Sequence, residues 1–444
     1  MMMRVRRGLI LWAAIMAGGT AGAQSSAPKD GLQLSGATRL RYETIAGQAR
    51  VGFNSSDDLL NLRTVLSAEY REGWVGVVGE IWDSRGYLAD RGTPVSTNEI
   101  NALELVQAFV EVKPDAATTV QVGRFTLNLG SRRLVAADDY RNTTNGYTGV
   151  RIDLAPAPGW RATAVYTLPQ VRRPDDLDAV LDNRVRVDRE SFALVLWGGL
   201  VSRAKAIGGA MAELSFFHLG ERDEPGRPTR DRSLNTVGAR VIREPAPGRL
   251  DYEVEGIVQR GRAAAGTGVA SPRQEVRAWF VHADAGYSWA GGWKPRVSVD
   301  YDQASGDAPG GRYGRFDTLF GMRRAELAPA GLYNAVGRAN LLAPGVRIEA
   351  TPDKRTDLFV GYKALWLADR RDAFSTTGVR DASGRTGRFA GHQLDARIRH
   401  RLSARLQLEA DAVLLAKGRF LRDAPNAPPG RWTRYLSLNA TASF

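Results

Sequence analysis

Arginines and carboxylates recur at every second position along this 444-residue chain. Arg39 and Arg41, Arg397 and Arg399, Glu253 and Glu255, and Glu409 and Asp411 are such pairs. Arg63, Arg124, Arg151 with Asp153, Arg296 with Asp300, Arg347 with Glu349, and Lys363 continue the pattern. A guanidinium is a planar fork of donors that holds a carboxylate or phosphate through two parallel hydrogen bonds. Rows of such groups along a water-filled path favour anions. Lys and Arg number 61 against 48 Asp and Glu, so the excess is basic. The competing reading is mutual pairing across an interior, which stabilises a fold and recognises nothing.

Other chemistry is poorly supported. The histidines are His218, His282, His392 and His400, and none lies in a catalytic motif. Neither G-x-S-x-G nor H-E-x-x-H occurs. With no cysteine there is no thiol nucleophile and no disulfide. An enzyme such as a lipase or protease, which needs a nucleophile or activated water beside a base, is therefore disfavoured. Asp175, Asp176, Asp178 and Asp182 form an acidic cluster whose hard oxygens suit Ca²⁺. The cluster lacks a calcium-loop pattern, and a solvated acidic loop is the plainer reading. No other cofactor is expected.

The elements that must carry these side chains are strands. In His392–Leu402, Leu394, Ala396, Ile398 and Leu402 alternate with Gln393, Asp395, Arg397, Arg399 and Arg401. Leu406–Leu414 and Trp432–Phe444 repeat the pattern. Period two means that successive side chains leave a pleated backbone on opposite faces. An apolar face opposite a charged face fits a wall between lipid and water. The spacing predicts about 18 strands: 32–43, 59–70, 73–83, 103–112, 118–125, 146–154, 159–168, 190–199, 208–219, 233–243, 249–259, 275–288, 293–302, 340–350, 355–367, 391–402, 405–415 and 432–444. The expected fold is an all-β transmembrane antiparallel barrel, integral to the bacterial outer membrane, with an even strand number.

The connections alternate in length. Ala155–Pro158, Leu200–Ile207, Glu244–Gly248 and Ser403-Ala404 are among the short ones; 84–102, 126–145, 169–189, 303–339 and 368–390 are among the long. Short periplasmic turns and long external loops are the asymmetry of outer-membrane barrels. Tyr42, Trp74, Trp82, Trp160, Tyr166, Trp197, Trp289, Trp293, Trp366 and Trp432 sit near strand ends, as two interfacial girdles require. Arg4, Arg6 and Arg7, apolar Leu9–Ala17 and Ala21-Gly22-Ala23 read as a signal peptide over 1–23, leaving one barrel domain over 24–444. The net charge of +13 falls to +10 once those three arginines are removed. Export argues against nucleic acid as the partner of that charge. The remaining partners are an anionic polysaccharide or oligosaccharide and outer-membrane lipid with lipopolysaccharide. The C-terminal strand ending in Phe444 adds the barrel-assembly machinery.

Two loops invite a role inside the barrel. Gly130–Tyr140 is long enough to fold inward, and the loop around Phe316–Gly321 is the longest and suits a lid or constriction. Here the sequence resembles the alginate-export outer-membrane porins. The resemblance rests on Val122-Gly123-Arg124 with Gly130–Val135, and on Gly149-Val150-Arg151. It continues in Phe316–Phe320 with Gly337–Leu341, Ala364–Ala368 with Arg371-Asp372, and Gly387–Asp395. It implies an 18-stranded barrel whose arginine-lined constriction passes an anionic uronate polymer. It also implies pore roles for Arg124, Arg133, Arg151, Arg338 and Arg397. Arg63, Arg347, Lys363 and Arg399 join them from the alternation of faces. The exporters carry a long periplasmic turn late in the barrel; here that turn is Ser403-Ala404, too short to plug a pore. The alternative function is a general or organic-acid-selective porin on the same scaffold.

Overall fold

The computed structural model describes residues 30–138, 140–267, 271–322 and 324–444. The expected signal peptide lies outside the described residues. Eighteen long antiparallel strands close into one barrel. They are β1 (Gly31–Ala46), β2 (Ser56–Glu72), β3 (Val75–Tyr87), β4 (Asn101–Asp115), β5 (Thr118–Phe125), β6 (Tyr147–Leu154), β7 (Trp160–Pro169), β8 (Leu194–Ile207) and β9 (Ala210–Glu221). The wall continues with β10 (Ser233–Arg243), β11 (Arg249–Ala264), β12 (Arg273–Ser288), β13 (Arg296–Ala304), β15 (Leu341–Ala350), β16 (Thr356–Trp366), β17 (Phe389–Arg401), β18 (Leu406–Lys417) and β19 (Trp432–Ser443). The two-residue β14 (Arg312–Tyr313) lies in the long loop and pairs in parallel with β12. Three short helices, α1 (Leu177–Leu181), α2 (Arg324–Leu327) and α3 (Arg419–Asp423), also sit in loops.

Closure is made by β1 and β19, which pair from Ala37↔Ser443 to Ala46↔Arg434. No edge is left to expose unpaired N–H and C=O groups to hydrocarbon. Beyond that ladder the Gly36 and Phe444 amides exchange hydrogen bonds of 3.1 and 3.0 Å. Glycine is needed at position 36, because a Cβ there would run into the Phe444 ring.

The alternation sets the two faces as the sequence implies. On β19, Leu436 and Leu438 face outward while Ser437 and Thr433 are fully buried toward the interior. On β1, Leu40 is exposed and Arg39 and Arg41 are buried. Lipid solvates the first set, and an arginine there would cost about 2–4 kcal/mol at the midplane.

Three expectations need correction. Residues 200–207 are not a connection: β8 runs to Ile207 and the turn is Gly208-Gly209, both with positive φ. Arg203, Ala204 and Lys205 are exposed, and polar residues on a strand that projects past the membrane read like a turn. Trp82 is no girdle residue. It shares the inward face with Ser84, is 7% exposed, and lies under the Arg63 guanidinium at 4.4 Å. Arg124 does not face the lumen either. It shares its strand face with Val122, which is exposed to lipid, whereas the neighbouring Phe125 is buried within.

Candidate functional site

The interior is built by two loops that fold into it. Residues 126–146, between β5 and β6, and residues 314–340, before β15, meet inside the wall. Val135 and Phe320 form a parallel bridge. Ala136 N donates to Phe320 O at 3.1 Å, Phe320 N to Leu134 O at 3.0 Å, and Met322 N to Arg132 O at 3.0 Å. Gly321 lies so close to the Arg133 carbonyl that no Cβ fits. Leu127, Val135, Leu332, Tyr333, Ala335 and Val336 are essentially unexposed and pack into one apolar core with inward side chains of the wall. The loops thus give the barrel a hydrophobic core of its own, held by the burial of apolar area.

The first loop crosses the full bore. At one end Arg133 donates to Glu253 of β11 at 2.5 Å and to Glu255, and pairs with Glu326 of α2 at 2.5 Å. Ser131 Oγ donates to Glu255 at 2.9 Å. At the other end the carbonyls of Tyr140 and Arg141 are capped by arginines of β1 and β2. Arg41 Nη2 donates to Tyr140 O at 2.6 Å, Arg39 Nη2 to Arg141 O at 2.7 Å, and Arg63 Nη1 to Arg141 O at 3.0 Å. Arg41 also stacks on the Tyr140 ring at 4.4 Å, and Tyr140 Oη donates to Asp411 at 3.1 Å. β2 and β11 lie nine strands apart in an eighteen-stranded ring, so the two docks face each other across it.

The residues singled out from sequence separate into two groups. Arg133 and Arg338, 3% and 2% exposed, are buried fasteners and not the surface of a path. Arg338 bonds Glu326 and donates to Met322 O at 2.6 Å, so the expectation that either meets cargo directly is corrected. Lys363 is a third fastener, 5% exposed, held by Asp300 and by Asp302 at 2.9 Å. Arg124 fastens from the outer side, gripping Glu190 with Nη2 at 2.8 Å and Glu104 with Nη1 at 2.9 Å.

The second group is only partly buried. Arg347 and Arg397 share the face of Phe359, at 3.6 and 5.1 Å from its centroid. Arg399 follows on the same face of β17, bonded to Glu409 at 2.7 Å. Their side chains keep 22%, 19% and 15% of their surface in water. These strand segments adjoin the short turns 351–355 and 402–405, which places them at the periplasmic end. Arg63 belongs instead with the fasteners, through Arg141 O and the Trp82 ring, whereas Arg151 pairs with Asp153 at 2.7 Å on β6. The strand faces that carry Arg39, Arg41 and Arg63 were visible in the alternation; their capture by loop carbonyls 78 to 102 residues away was not.

Loop carboxylates are perturbed by this packing. Burial, then the nearby Glu43, raises Glu99 to about 7. Burial, then Glu104, raises Asp188 to about 7 as well. Desolvation disfavours the charged form, and like charge adds to it. Asp188 accepts from Asn101 at 2.9 Å and from the Arg173 amide at 2.8 Å, so it pins the loop after β7 onto β4.

A cavity of about 170 Å³ opens among Tyr313, Arg315, Phe316, Asp317, Thr318 and Arg338, in the cluster of external loops. Arg315 is committed there to Asp372 at 2.7 Å, and Asp317 to Arg232 at 2.7 Å. Of cation sites, the aspartates 175–182 are engaged separately: Asp178 by Arg91, Asp182 by Arg184, and Asp176 as the cap of α1. Among the described residues their oxygens do not converge. His282, Asp302 and Glu326 do, within 4.8 Å, but Lys363, Arg133 and Arg338 already supply the positive charge there.

No curated protein matches this sequence. Solved structures do match the fold, at identities too low to say more. The outer membrane protein opdK from Pseudomonas aeruginosa has a TM-score of 0.59 at 12% identity, over 93% of this chain and 98% of that one. Acinetobacter baumannii OccAB1 has a TM-score of 0.59 at 13% identity, over 95% and 99%. Pseudomonas aeruginosa OccK2 (OpdF), solved in complex with glucuronate, has a TM-score of 0.58 at 13% identity, over 93% and 98%. These barrels and the one described here share the fold. The family model described as alginate export matches residues 31–432, so the chain belongs to the alginate export family of outer-membrane β-barrels.

Proposed function

We propose that this outer-membrane channel passes anionic saccharides, uronate oligomers first among them, along an arginine-lined path. The observation that carries the reading is the row Arg347, Arg397 and Arg399. It keeps part of its side-chain surface in water at the periplasmic end, each arginine steadied by a carboxylate of the wall (Glu349 at 2.9 Å, Asp357 at 2.6 Å, Glu409 at 2.7 Å), while other arginines hold loops. A carboxylated polymer entering from that side meets three forks on one face, each able to form paired hydrogen bonds. The aromatic ring of Phe359 beneath two of them limits their rotamers and holds the forks toward the bore. Closure comes from the external loops. The 402–405 turn is too short to reach the bore, so the gating element is the crossing loop. Cleavage after Ala23 and assembly through the Phe444 terminus, whose ring is 68% exposed, belong to the same reading.

A specific observation favours a second reading, a porin for single organic acids. The 170 Å³ cavity is about the size of one six-membered ring, since an engineered cavity of about 150 Å³ holds benzene. The glucuronate held by OccK2 is one such acid. Reversal potentials across planar bilayers separate the readings. Anion preference with block that strengthens from monomer to longer uronates supports the polymer path. Block by the monomer alone supports the second reading. A cation-preferring pore sinks both.

A further inference from the structure

The outer surface carries a feature that transport does not use. Five strands bring outward-facing side chains into one register row: Trp197, His218, Asn235, Arg260 and Arg277 are successive cross-strand partners on β8 to β12. The next row upward is Ser233, Arg262, Glu275 and Arg312, and Arg273 stands beyond it. The lipid band lies directly below, with Val237, Val258 and Trp279 exposed on the same face. Arg277 is two residues above Trp279, about 7 Å along the strand at a rise of about 3.3 Å per residue. These ends of β11 and β12 adjoin a long loop, so the patch is at the extracellular side.

The charges are not balanced. Arg277 and Arg312 share Glu275, at 2.9 and 3.5 Å, and Arg273 pairs with Asp231. Arg260 and Arg262 are exposed, and no carboxylate among the described residues lies within ion-pair distance of either. On β3 the outward Arg85 is matched by its own Asp83 at 2.9 Å. Arg260 and Arg277 stand directly opposite each other, like charges that destabilise a sheet unless anions offset them, and the carboxylate beside them, Glu275, is divided among Arg260, Arg277 and Arg312.

We propose that this patch binds the phosphorylated headgroup of an outer-leaflet glycolipid, with the acyl chains lying on Val237, Val258 and Trp279. A phosphate suits the opposed Arg260 and Arg277 because guanidinium and phosphate pair through two parallel hydrogen bonds. The location selects a lipid over a soluble anion, since the row stands at headgroup level on the face that meets acyl chains. His218, bonded to Asn235 at 2.8 Å and stacked near Trp197 at 5.4 Å, extends the polar row on the side away from the arginines.

The test is native mass spectrometry of the purified barrel in a neutral detergent with diphosphoryl lipid A, with its dephosphorylated form, and with inorganic phosphate alone. The expected result is retention of the phosphorylated lipid only. Each arginine removed should weaken it about fivefold, so the double variant Arg260→Ala/Arg277→Ala should lose about 25-fold. The double lysine variant should keep much of the binding, which separates charge from packing. Heat-modifiable gel mobility checks that each variant is folded. Equal retention by the double alanine variant overturns the proposal. So does indifference to the phosphates, or inorganic phosphate binding as well as the lipid.

Discussion

Removing the Arg133 side chain should open the channel. Arg133 is 3% exposed and is the single cation that Glu253, Glu255 and Glu326 share from two separate elements. In Arg133→Ala three buried carboxylates lose a common counter-charge, a change that costs about 3–5 kcal/mol when one member of a buried pair is deleted. Arg240 stays near Glu253 at 2.8 Å and Arg338 near Glu326, so the lower half of that range applies. About 3 kcal/mol moves the seated-to-released equilibrium of this dock by about 10²-fold. The wall does not depend on the contact, because its ladders are complete without it. The assay is single-channel recording in planar bilayers, with heat-modifiable mobility as the check on the barrel. We expect longer open times and higher conductance for Arg133→Ala. Arg133→Lys should fall between, since an ammonium is a point charge without the fork. A folded Arg133→Ala barrel whose gating matches wild type would refute the view that this dock holds the pore shut.

Further outcomes follow from the same geometry. Arg347→Ala/Arg397→Ala should lower anion preference without loss of folding, read as a reversal-potential shift; an unchanged potential removes the Phe359 face from the path. Loop seating should depend on pH. Glu99 and Asp188 have folded values of about 7, above their ordinary 4.5 and 3.8, so the folded state holds the extra protons. The stability they add is therefore full below about pH 4 and lost as pH rises through about 7. Hydrogen exchange in residues 88–100 and 170–193 should be slower at pH 6 than at pH 8, and equal rates would count against the assignment. On the lipid face, Leu438→Arg should destabilise the barrel by about 2–4 kcal/mol in vesicle-folding titrations, whereas a change on the inward Ser437 should not disturb the lipid contact.

The wall was legible in the sequence because a two-residue period is local. Leu436 and Leu438 against Ser437 and Asn439 need no knowledge of partners to assign. The same rule, applied more strictly, would have placed Arg124 with Val120 and Val122, and Trp82 opposite Ile81. The chemical appeal of an arginine or a tryptophan overrode the parity there. What the loops do was legible only in outline. Gly130–Tyr140 was long enough to enter the bore, but nothing local says that Arg133 reaches residues 120 and 122 positions away. Nor does composition reveal that Arg39, Arg41, Arg63, Arg133, Arg338 and Lys363 are spent on internal fastening. Alternation shows which way a charge points, and not whether a carboxylate is waiting for it.

The crossing loop is anchored on opposite walls by unlike chemistry. One anchor is a buried guanidinium amid carboxylates, whose hold depends on their charge; the other is carbonyl oxygen held by Arg39, Arg41 and Arg63, with no ionisable group of its own. A strut fastened this way cannot lift evenly. Under the proposed gating the carbonyl side serves as hinge pin and the β11 side as the free edge, so the bore would widen first against β11.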